Sequence, residues 1–486
     1  MVAAWDAGGR VDGNWEDAVR VDDAPYQRYN LSASGGNSSE NFRASVGYNN
    51  TVGTSIGVNY EQINGSFTYR RIAGNVTIET SNRVSNAIQD GQLEGGSYFA
   101  APQMTRVFMA PVHQPKNADG TWNTNLATSI FNTGYLADNN ISRNDATRAI
   151  SNTGVKIKLG DGLRFQTRYA IDYNIGNAHR YQNPTHGGGV TDNGYAYQST
   201  SRSFSWNTLN TLSYDKSFGD HNVSATAQFS FGKSKYDFLS SSGENVPADG
   251  LIYVTSFGTN RDGTATFVDT KRLGYVGLLN YSYQDKYIAD FSFRRDGSSR
   301  FAPGYRMGNF WSGAVAWNIT NENFLADNNI INTLRLRASI GETGSNSVGI
   351  NAYQSLFGYG GSYNDNGAVS PSSYGNGILT WEKQSQFDVG IEYAILDNRI
   401  SGTIGYFNRK TSDLLQSVPL SRTTGHSSQT KNVGEVENSG LELELSADVV
   451  KTDNFTWTIY SNYATLDNKV TKLAKDAAGN DINLDG

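Results

Sequence analysis

The chain has 486 residues, no cysteine, 12% aromatic side chains and a formal net charge of −6. The lack of cysteine excludes disulfide scaffolds, zinc ribbons and cysteine nucleophiles, and the slightly acidic balance argues against a nucleic-acid partner. No apolar run reaches the roughly 18 residues of a membrane-spanning helix.

Apolar and polar residues alternate along most of the chain, which predicts an all-β fold. Leu441, Leu443 and Leu445, for example, alternate with Glu442 and Glu444. Successive side chains of a strand point to opposite faces, so such a segment has one apolar face and one polar face. We predict sixteen strands, near 26–36, 41–50, 60–71, 74–85, 149–159, 163–176, 201–216, 221–236, 268–284, 286–295, 309–319, 333–342, 381–396, 399–410, 437–450 and 454–467.

The connections between these strands alternate between short and long. The short ones are rich in Gly, Asp and Asn, which suit tight hairpin turns. The long ones lie near 86–148, 177–200, 237–267, 343–380 and 411–436. Such alternation puts all long connections at one end of the sheet, as in an outer-membrane β-barrel with short periplasmic turns and long extracellular loops.

Strand length favours the same architecture. Several predicted strands have ten or more residues, whereas a strand of a globular protein usually has about 5–6 and a tilted transmembrane strand needs about 9–11. Two alternatives remain open. One is a passive outer-membrane porin or adhesin barrel, and the other is a secreted glycan-binding array of β-sandwich modules of roughly 100 residues each.

No convincing catalytic set is visible. Gly53–Gly57 matches the G-x-S-x-G pattern, but it lies between two strands and no helix follows it, so we interpret it as a hairpin tip. The five histidines form no local ligand pair. His179 and His186 share one long loop, and we interpret them as loop histidines in solvent. We therefore predict that the chain is no enzyme and has no catalytic residue, metal site or cofactor.

Charged residues on the predicted polar face are expected to face a wet lumen or a plug, because a charge facing lipid at the bilayer midplane costs about 2–4 kcal/mol. Pairing of these residues is favoured over the lining of a solute path. These residues are Arg294, Arg335, Arg337, Asp388, Glu392, Glu442 and Glu444.

Aromatic residues in the long loops are candidate ligand contacts, since their faces can stack on sugars or peptides. They are Tyr353, Phe357, Tyr359, Tyr363 and Tyr374.

Several segments resemble the barrel of SusC/RagA-like TonB-linked outer-membrane transporters of Bacteroidetes. The most specific segment is 293–301, which is followed by Gly308-Asn309-Phe310, and the run 432–442 is also similar to the family. The resemblance marks nine positions as family-motif residues: Arg294, Arg295, Asp296, Gly297, Arg300, Trp381, Gly434, Asn438 and Gly440.

The resemblance implies a partial antiparallel transmembrane barrel, about 16 of an expected 22 strands. Residues 1–25 would lead into it, residues 26–467 would form it, and residues 468–486 would be a loop after the last strand. We expect the plug and the C-terminal strands to be absent from this chain. The resemblance also implies import of oligosaccharides or peptides through the outer membrane of a Gram-negative cell, with outer-membrane lipid around the barrel. A SusD-like lipoprotein and the TonB–ExbB–ExbD complex would be its partners.

Overall fold

The computed structural model describes residue 6 and residues 12–91, 100–126, 128–475 and 481–482. Within these ranges the fold is nearly all strand. The strands are β1 (Tyr26–Gly36), β2 (Glu40–Val52), β3 (Asn59–Ala73), β4 (Val76–Asp90), β5 (Ile141–Lys158), β6 (Leu163–Gln182), β7 (Tyr195–Phe218), β8 (His221–Glu244), β9 (Thr259–Tyr283), β10 (Tyr287–Ser298), β11 (Met307–Asn318), β12 (Ile331–Ser345), β13 (Leu356–Tyr363), β14 (Asn366–Ser373), β15 (Glu382–Ile395), β16 (Ile400–Ser412), β17 (Leu415–Pro419), β18 (Ser428–Asn432), β19 (Glu435–Lys451), β20 (Thr456–Ala464), β21 (Asp467–Lys472), β22 (Ala474–Lys475) and β23 (Asp481–Ile482).

Helices are short and few among the described residues. They are α1 (Trp15–Val19), α2 (Pro102–Phe108) and α3 (Thr133–Asn139), with 3-10 turns at Gly188–Val190, Val254–Ser256, Ile319–Asn321, Asn323–Leu325 and Arg422–Thr424. None of the helices in the described ranges has the length and apolar character that a membrane-spanning helix requires.

The all-β prediction is confirmed. Seventeen of the described strands belong to one hydrogen-bonded sheet, and each of the sixteen predicted strands corresponds to one of them. The seventeenth is β21, so the prediction of a loop from residue 468 is wrong for its first residues. β21 pairs with β19, with Val436 opposite Val470. Its sequence has one apolar residue among polar ones, which leaves no alternation to detect.

The short turns were predicted well, but the predicted long loops include residues that belong to strands in the structure. β7 and β8 have 24 residues each and β9 has 25, so these strands continue into the predicted loops 177–200 and 237–267. Their outer parts are rich in Ser, Thr, Asn and Tyr. Such residues can pair in a ladder in water without an apolar face, and period-two hydrophobicity does not reveal them.

The chain divides into two compact units, and strands β5 to β9 have residues in both. The first unit comprises residues 1–155, 168–207 and 234–269. Its β1–β4 segment is an antiparallel meander. Val46 lies opposite Leu31 and Gly65 on one face, and Ser45 pairs with Ser66 through their hydroxyls at 2.7 Å on the other. A separate buried cluster of this unit contains Tyr181, Ala196, Val246, Val254 and Phe257.

The second unit comprises residues 156–167, 208–233 and 270–486. Its described strands pair antiparallel in the order β9, β10, β11, β12, β15, β16, β19, β20. The register puts Ile391, Ile404 and Leu443 in one row, and the adjacent row contains Glu392, Thr403 and Glu444.

One face of this ladder is apolar and exposed. Its exposed residues include Phe291, Phe293, Trp311, Val315, Ile340, Phe387, Val389, Ile391, Ile404, Tyr406, Leu441, Leu443 and Leu445. A soluble protein rarely exposes a contiguous apolar patch of this extent, whereas a barrel turns such a face to lipid.

A pair of neighbouring substitutions tests which face contacts lipid. We expect Leu443→Arg, on the apolar face, to lower the free energy of unfolding by about 2–4 kcal/mol, because it places a charge in the hydrocarbon region. Glu442→Arg, on the opposite face, should change it by less than about 1 kcal/mol. Urea titration of the protein in phospholipid vesicles measures both. Equal costs at the two positions would contradict the assignment of the faces.

Candidate functional site

A small buried core holds together the loops of the second unit. Trp381 is only 6% exposed, and its ring contacts the rings of Phe301 and Phe310 at centroid distances of 5.4 and 5.5 Å. Leu379 and Val348 complete the cluster. The Trp381 indole Nε1 donates a hydrogen bond to the Arg306 carbonyl oxygen at 3.0 Å. The turn after β10, the segment after β12 and the start of β15 therefore meet at one point.

Hydrogen bonds of Arg300 and its neighbours also connect the same loops. Its guanidinium Nη1 donates to the Val348 carbonyl oxygen at 2.5 Å. The Asn346 amide donates to the Ser298 hydroxyl oxygen at 2.9 Å, and Arg306 Nε donates to the Phe301 carbonyl oxygen at 3.1 Å. Arg300 and Trp381, two of the family-motif residues, thus contact the chain itself and give the loops a fixed base.

The loop between β16 and β19 is attached to this base through Asn432. The Asn432 amide donates to the carbonyl oxygens of Thr380 (2.8 Å) and Asp413 (3.0 Å), and its own oxygen accepts from the Thr380 backbone N–H at 2.9 Å. The Gln429 amide donates to the Gly375 carbonyl oxygen at 2.8 Å. Sequence reasoning included Asn432 in the family-like run 432–442 but not among the site residues, because its contacts are with segments that are distant in the sequence.

Three further motif positions lie in β19 or directly before it. Gly434 has φ +79°, a left-handed conformation that favours glycine. A Cβ at Gly440 would collide with the Thr465 carbonyl oxygen. The Asn438 side-chain oxygen accepts a hydrogen bond from the Asn468 amide at 2.5 Å. These positions let β20 and β21 approach β19 closely.

The two adjacent arginines of the 293–301 motif lie on opposite faces of β10. Arg294 pairs with Asp296 two residues later, with 2.5 Å between Nε and Oδ2, and both line a groove of about 540 Å³ on the polar face. Arg295 lies on the apolar face, in register with Tyr275 and Asn309. Gly297 is buried, and a Cβ there would lie 2.8 Å from the Met307 sulfur.

The predicted pairing of polar-face charges is confirmed for the arginines. Arg337 Nε lies 3.2 Å from a Glu392 carboxylate oxygen, and Arg335 Nη1 lies 3.9 Å from the other. Asp388 accepts a hydrogen bond from the Gln386 amide at 3.1 Å, and Glu444 accepts one from the Thr403 hydroxyl at 3.4 Å. The contacts of Arg335 and Arg337 with Glu392 and of Thr403 with Glu444 join neighbouring strands and so stabilise the wall, whereas the Gln386–Asp388 bond lies within β15.

The five aromatic residues proposed as ligand contacts do not form one group. Phe357, Tyr359 and Tyr363 lie on the β13–β14 hairpin and are 57%, 84% and 82% exposed. Tyr374 follows the hairpin and contacts the ring of His426 at 5.3 Å. Tyr353 instead packs against the buried core around Trp381. The hairpin with its exposed rings, standing on the core, is the candidate ligand-binding site.

A second candidate region lies in the first unit. The Tyr253 ring is 59% exposed and stacks on the His179 ring at 5.8 Å. Both line a cavity of about 440 Å³, together with Asp90, Asn140 and Arg143. Arg143 is held by Asp90 through Nε–Oδ1 (2.6 Å) and Nη2–Oδ2 (3.0 Å). Sequence reasoning noted His179 only as a loop histidine and did not group these residues, because they come from four separate segments.

The interpretation of His186 as a solvent-exposed histidine is wrong. His186 is 9% exposed, and its ring makes T-shaped contacts with the rings of Phe131 and Tyr135, each at a centroid distance of 5.6 Å. Its Nε2 accepts a hydrogen bond from the Asn132 backbone N–H at 2.8 Å. Burial lowers the pKa of His186. Gly53–Gly57, by contrast, connects β2 to β3 as the predicted hairpin tip.

Comparison with known proteins agrees with this architecture. The family model "TonB dependent receptor-like, beta-barrel" matches residues 105–485. TonB-dependent receptor P3 of Formosa agariphila is 30% identical over 98% of this chain and 48% of its own length. TonB-dependent receptor SusC of Bacteroides thetaiotaomicron is 36% identical over 44% of this chain and 22% of its own. The solved structure of the RagAB peptide transporter superposes with a TM-score of 0.76 and 24% identity, over 95% of this chain and 53% of that one.

The chain belongs to the TonB-dependent receptor family, and its fold is part of that family's β-barrel. The resemblance to SusC and RagA is therefore confirmed. The matched relatives are receptors and a transporter, and the family resides in the outer membrane of Gram-negative bacteria. The chain spans about half the length of the curated relatives that it matches over nearly all of its own length.

Substitution of Trp381 tests the buried base of the loops. We expect Trp381→Ala to lower the free energy of unfolding by about 3–5 kcal/mol, because it opens a cavity among Phe301, Phe310 and Leu379. Trp381→Phe keeps most of the packing and loses mainly the hydrogen bond to Arg306, at about 1 kcal/mol. Hydrogen exchange of residues 298–306 and 346–380 measures the loss of order. Unchanged protection in Trp381→Ala would show that the loops do not depend on this core.

The pKa of His186 predicts a pH dependence in the first unit. Because the folded-state pKa is lowered, the neutral form stabilises the loop fully above the unfolded value of about 6.5, and this stability is lost as pH falls below it. We expect amides of residues 131–140 to exchange faster at pH 5 than at pH 7.5, after correction for intrinsic rates. His186→Gln, which keeps an acceptor and cannot titrate, should abolish the difference. The same pH dependence in that variant would contradict the role of His186.

Proposed function

We propose that this chain forms the wall and outer loops of a TonB-dependent importer of oligosaccharides. In this proposal a SusD-like lipoprotein helps to capture the ligand at the outer loops, and the TonB–ExbB–ExbD complex supplies the energy. The observation that carries the proposal is the β13–β14 hairpin, which exposes Phe357, Tyr359 and Tyr363 above a buried base. A rigid base positions a binding surface better than a free loop does.

The charge of this loop favours a neutral ligand. Asp365 is the one charged side chain among residues 353–380, and the remainder is mainly Gly, Ser, Asn, Tyr and small apolar residues. Aromatic faces, amides and hydroxyls stack on and hydrogen-bond to uncharged sugar rings, whereas peptides bring terminal charges that this loop does not match. Oligosaccharides are therefore the first choice, and peptides are the alternative that the test must separate.

The charged residues of the polar face fit the wall of a barrel. Arg335 and Arg337 share Glu392, and Arg294 pairs with Asp296, so these charges are engaged with their neighbours. In the described part of the chain, no group of three or more His, Cys, Asp or Glu side chains is placed to hold a metal ion. The relatives support the energised mechanism, since they are named TonB-dependent receptors.

Uptake by cells tests the proposal. The gene is deleted from its host and restored as wild type, as the double variant Tyr359→Ala/Tyr363→Ala, or as the ring-retaining control Tyr359→Phe/Tyr363→Phe. Malto-, fructo- and xylo-oligosaccharides and a casein peptide digest are supplied in turn as the limiting nutrient. We expect one class of oligosaccharide to depend on the gene and on TonB, and the alanine variant to lower its uptake about tenfold, as the loss of two ring stacks would do.

Three other results would contradict parts of the proposal. Uptake that depends on the gene and not on TonB would indicate the passive porin. Gene-dependent uptake of the peptide digest alone would indicate a peptide importer. Equal uptake by the alanine and phenylalanine variants would remove the hairpin from the binding site.

A further inference from the structure

The apolar face of the second unit ends along a clear boundary toward the long loops. On this face the last exposed large apolar residue of β10 is Phe293, that of β11 is Trp311 and that of β12 is Ile340; beyond them on these three strands only the half-buried Met307 is large and apolar. The next residue outward on each strand is polar: Arg295, Asn309 and Glu342. A barrel has such a transition where the lipid hydrocarbon meets the head groups.

Beyond this boundary Lys383 and Lys410 are neutralised within the chain, whereas among the described residues Arg295 on β10 and Lys271 on β9 have no such partner. Lys383 Nζ lies 3.6 Å from a Glu342 carboxylate oxygen, and Lys410 Nζ lies 2.8 Å from a Glu435 carboxylate oxygen. Arg295 is exposed, and among the described residues it has no ion-pair or hydrogen-bond partner for its guanidinium. An exposed guanidinium at the head-group level is free to bind an anion from outside the chain.

We propose that Arg295 binds a phosphate group of an anionic glycolipid in the outer leaflet. The planar guanidinium can donate two parallel hydrogen bonds to phosphate oxygens, and its aliphatic stem can lie against the apolar band below it. Tyr275 and Asn309, the register neighbours of Arg295, add a hydroxyl and an amide as further donors. The proposal rests on the outer-membrane orientation in the proposed function, with the long loops outside.

This assignment separates the two arginines of the 293–301 motif. Arg294 is held by Asp296 on the polar face, so it contributes to the wall of the groove. Arg295 lies on the opposite face and cannot reach a ligand in that groove, because successive side chains of a strand point to opposite sides. In this proposal Arg294 of the motif makes an ion pair on the polar face, and Arg295 contacts lipid on the apolar face.

Lipid binding in nanodiscs tests the proposal. The full-length receptor is placed in phosphatidylcholine nanodiscs containing a few per cent of diphosphorylated lipid A, and native mass spectrometry counts the lipid A molecules retained. We expect Arg295→Gln to lower the affinity of one site about fivefold, the effect of one basic residue near an anionic head group. Arg295→Lys should retain part of it. Arg294→Gln is the matched control and should bind as wild type, and heat-modifiable mobility in gels verifies that each variant is folded.

Two comparisons identify the source of the phosphate. Lipid A freed of its phosphates should bind wild type as weakly as diphosphorylated lipid A binds Arg295→Gln. Millimolar inorganic phosphate should not displace lipid A, because it lacks the acyl chains. Displacement would mean a site for free phosphate, and equal binding of the dephosphorylated lipid would mean that phosphate is not recognised.

The proposal is also overturned if folded Arg295→Gln retains lipid A as wild type does, or if Arg294→Gln loses as much. Oligosaccharide uptake is measured on the same variants. If Arg295→Gln loses lipid A binding and keeps normal uptake, the lipid site is supported. If Arg295→Gln binds lipid A as wild type does, the lipid site is refuted, and the proposed import function is still judged by the uptake assay alone.

Discussion

The structure depends on one constraint, which is that a strand in lipid must pair every backbone N–H and C=O group with a neighbouring strand while it turns apolar side chains outward. The antiparallel register meets both demands. It aligns Ile391 with Ile404 and Leu443 on one face, and it aligns Glu392 with Thr403 and Glu444 on the other. A shift of one residue in any strand would exchange the two faces, so the register is strongly specified.

The outer loops follow a different rule, because water covers them on most sides. They have few apolar residues, and their order comes from a compact core around Trp381 and from side chains that bond to backbone carbonyls. Asn432 and Arg300 are the clearest examples, since each ties together segments far apart in the chain. The exposed rings of the β13–β14 hairpin stand on this base. Thus one chain contains strands stabilised by their pairing and lipid-facing side chains, and loops stabilised separately by the core around Trp381.

The sequence was informative where a physical period exists and silent elsewhere. Alternation located the sixteen strands, because lipid or neighbouring strands require one apolar face. It missed β21, the short hairpin strands β13, β14, β17 and β18, and the outer ends of β7 to β9, where polar ladders in water need no such face. The motif positions were found by resemblance, but their roles required the register. Arg295 and Arg294 are adjacent in sequence and lie on opposite faces, and the burial of His186 depends on contacts with a distant segment.

The most direct test of this account is the environment of two adjacent side chains. The chain has no cysteine, so single spin labels can be placed by Ile404→Cys and by Thr403→Cys in the protein in phospholipid bilayers. Electron paramagnetic resonance then measures collisions with oxygen, which concentrates in lipid, and with a water-soluble nickel chelate. We predict that collisions with oxygen dominate at residue 404 and collisions with the nickel chelate at residue 403. The reverse order, or the same environment at both positions, would contradict a barrel wall with its apolar face in lipid.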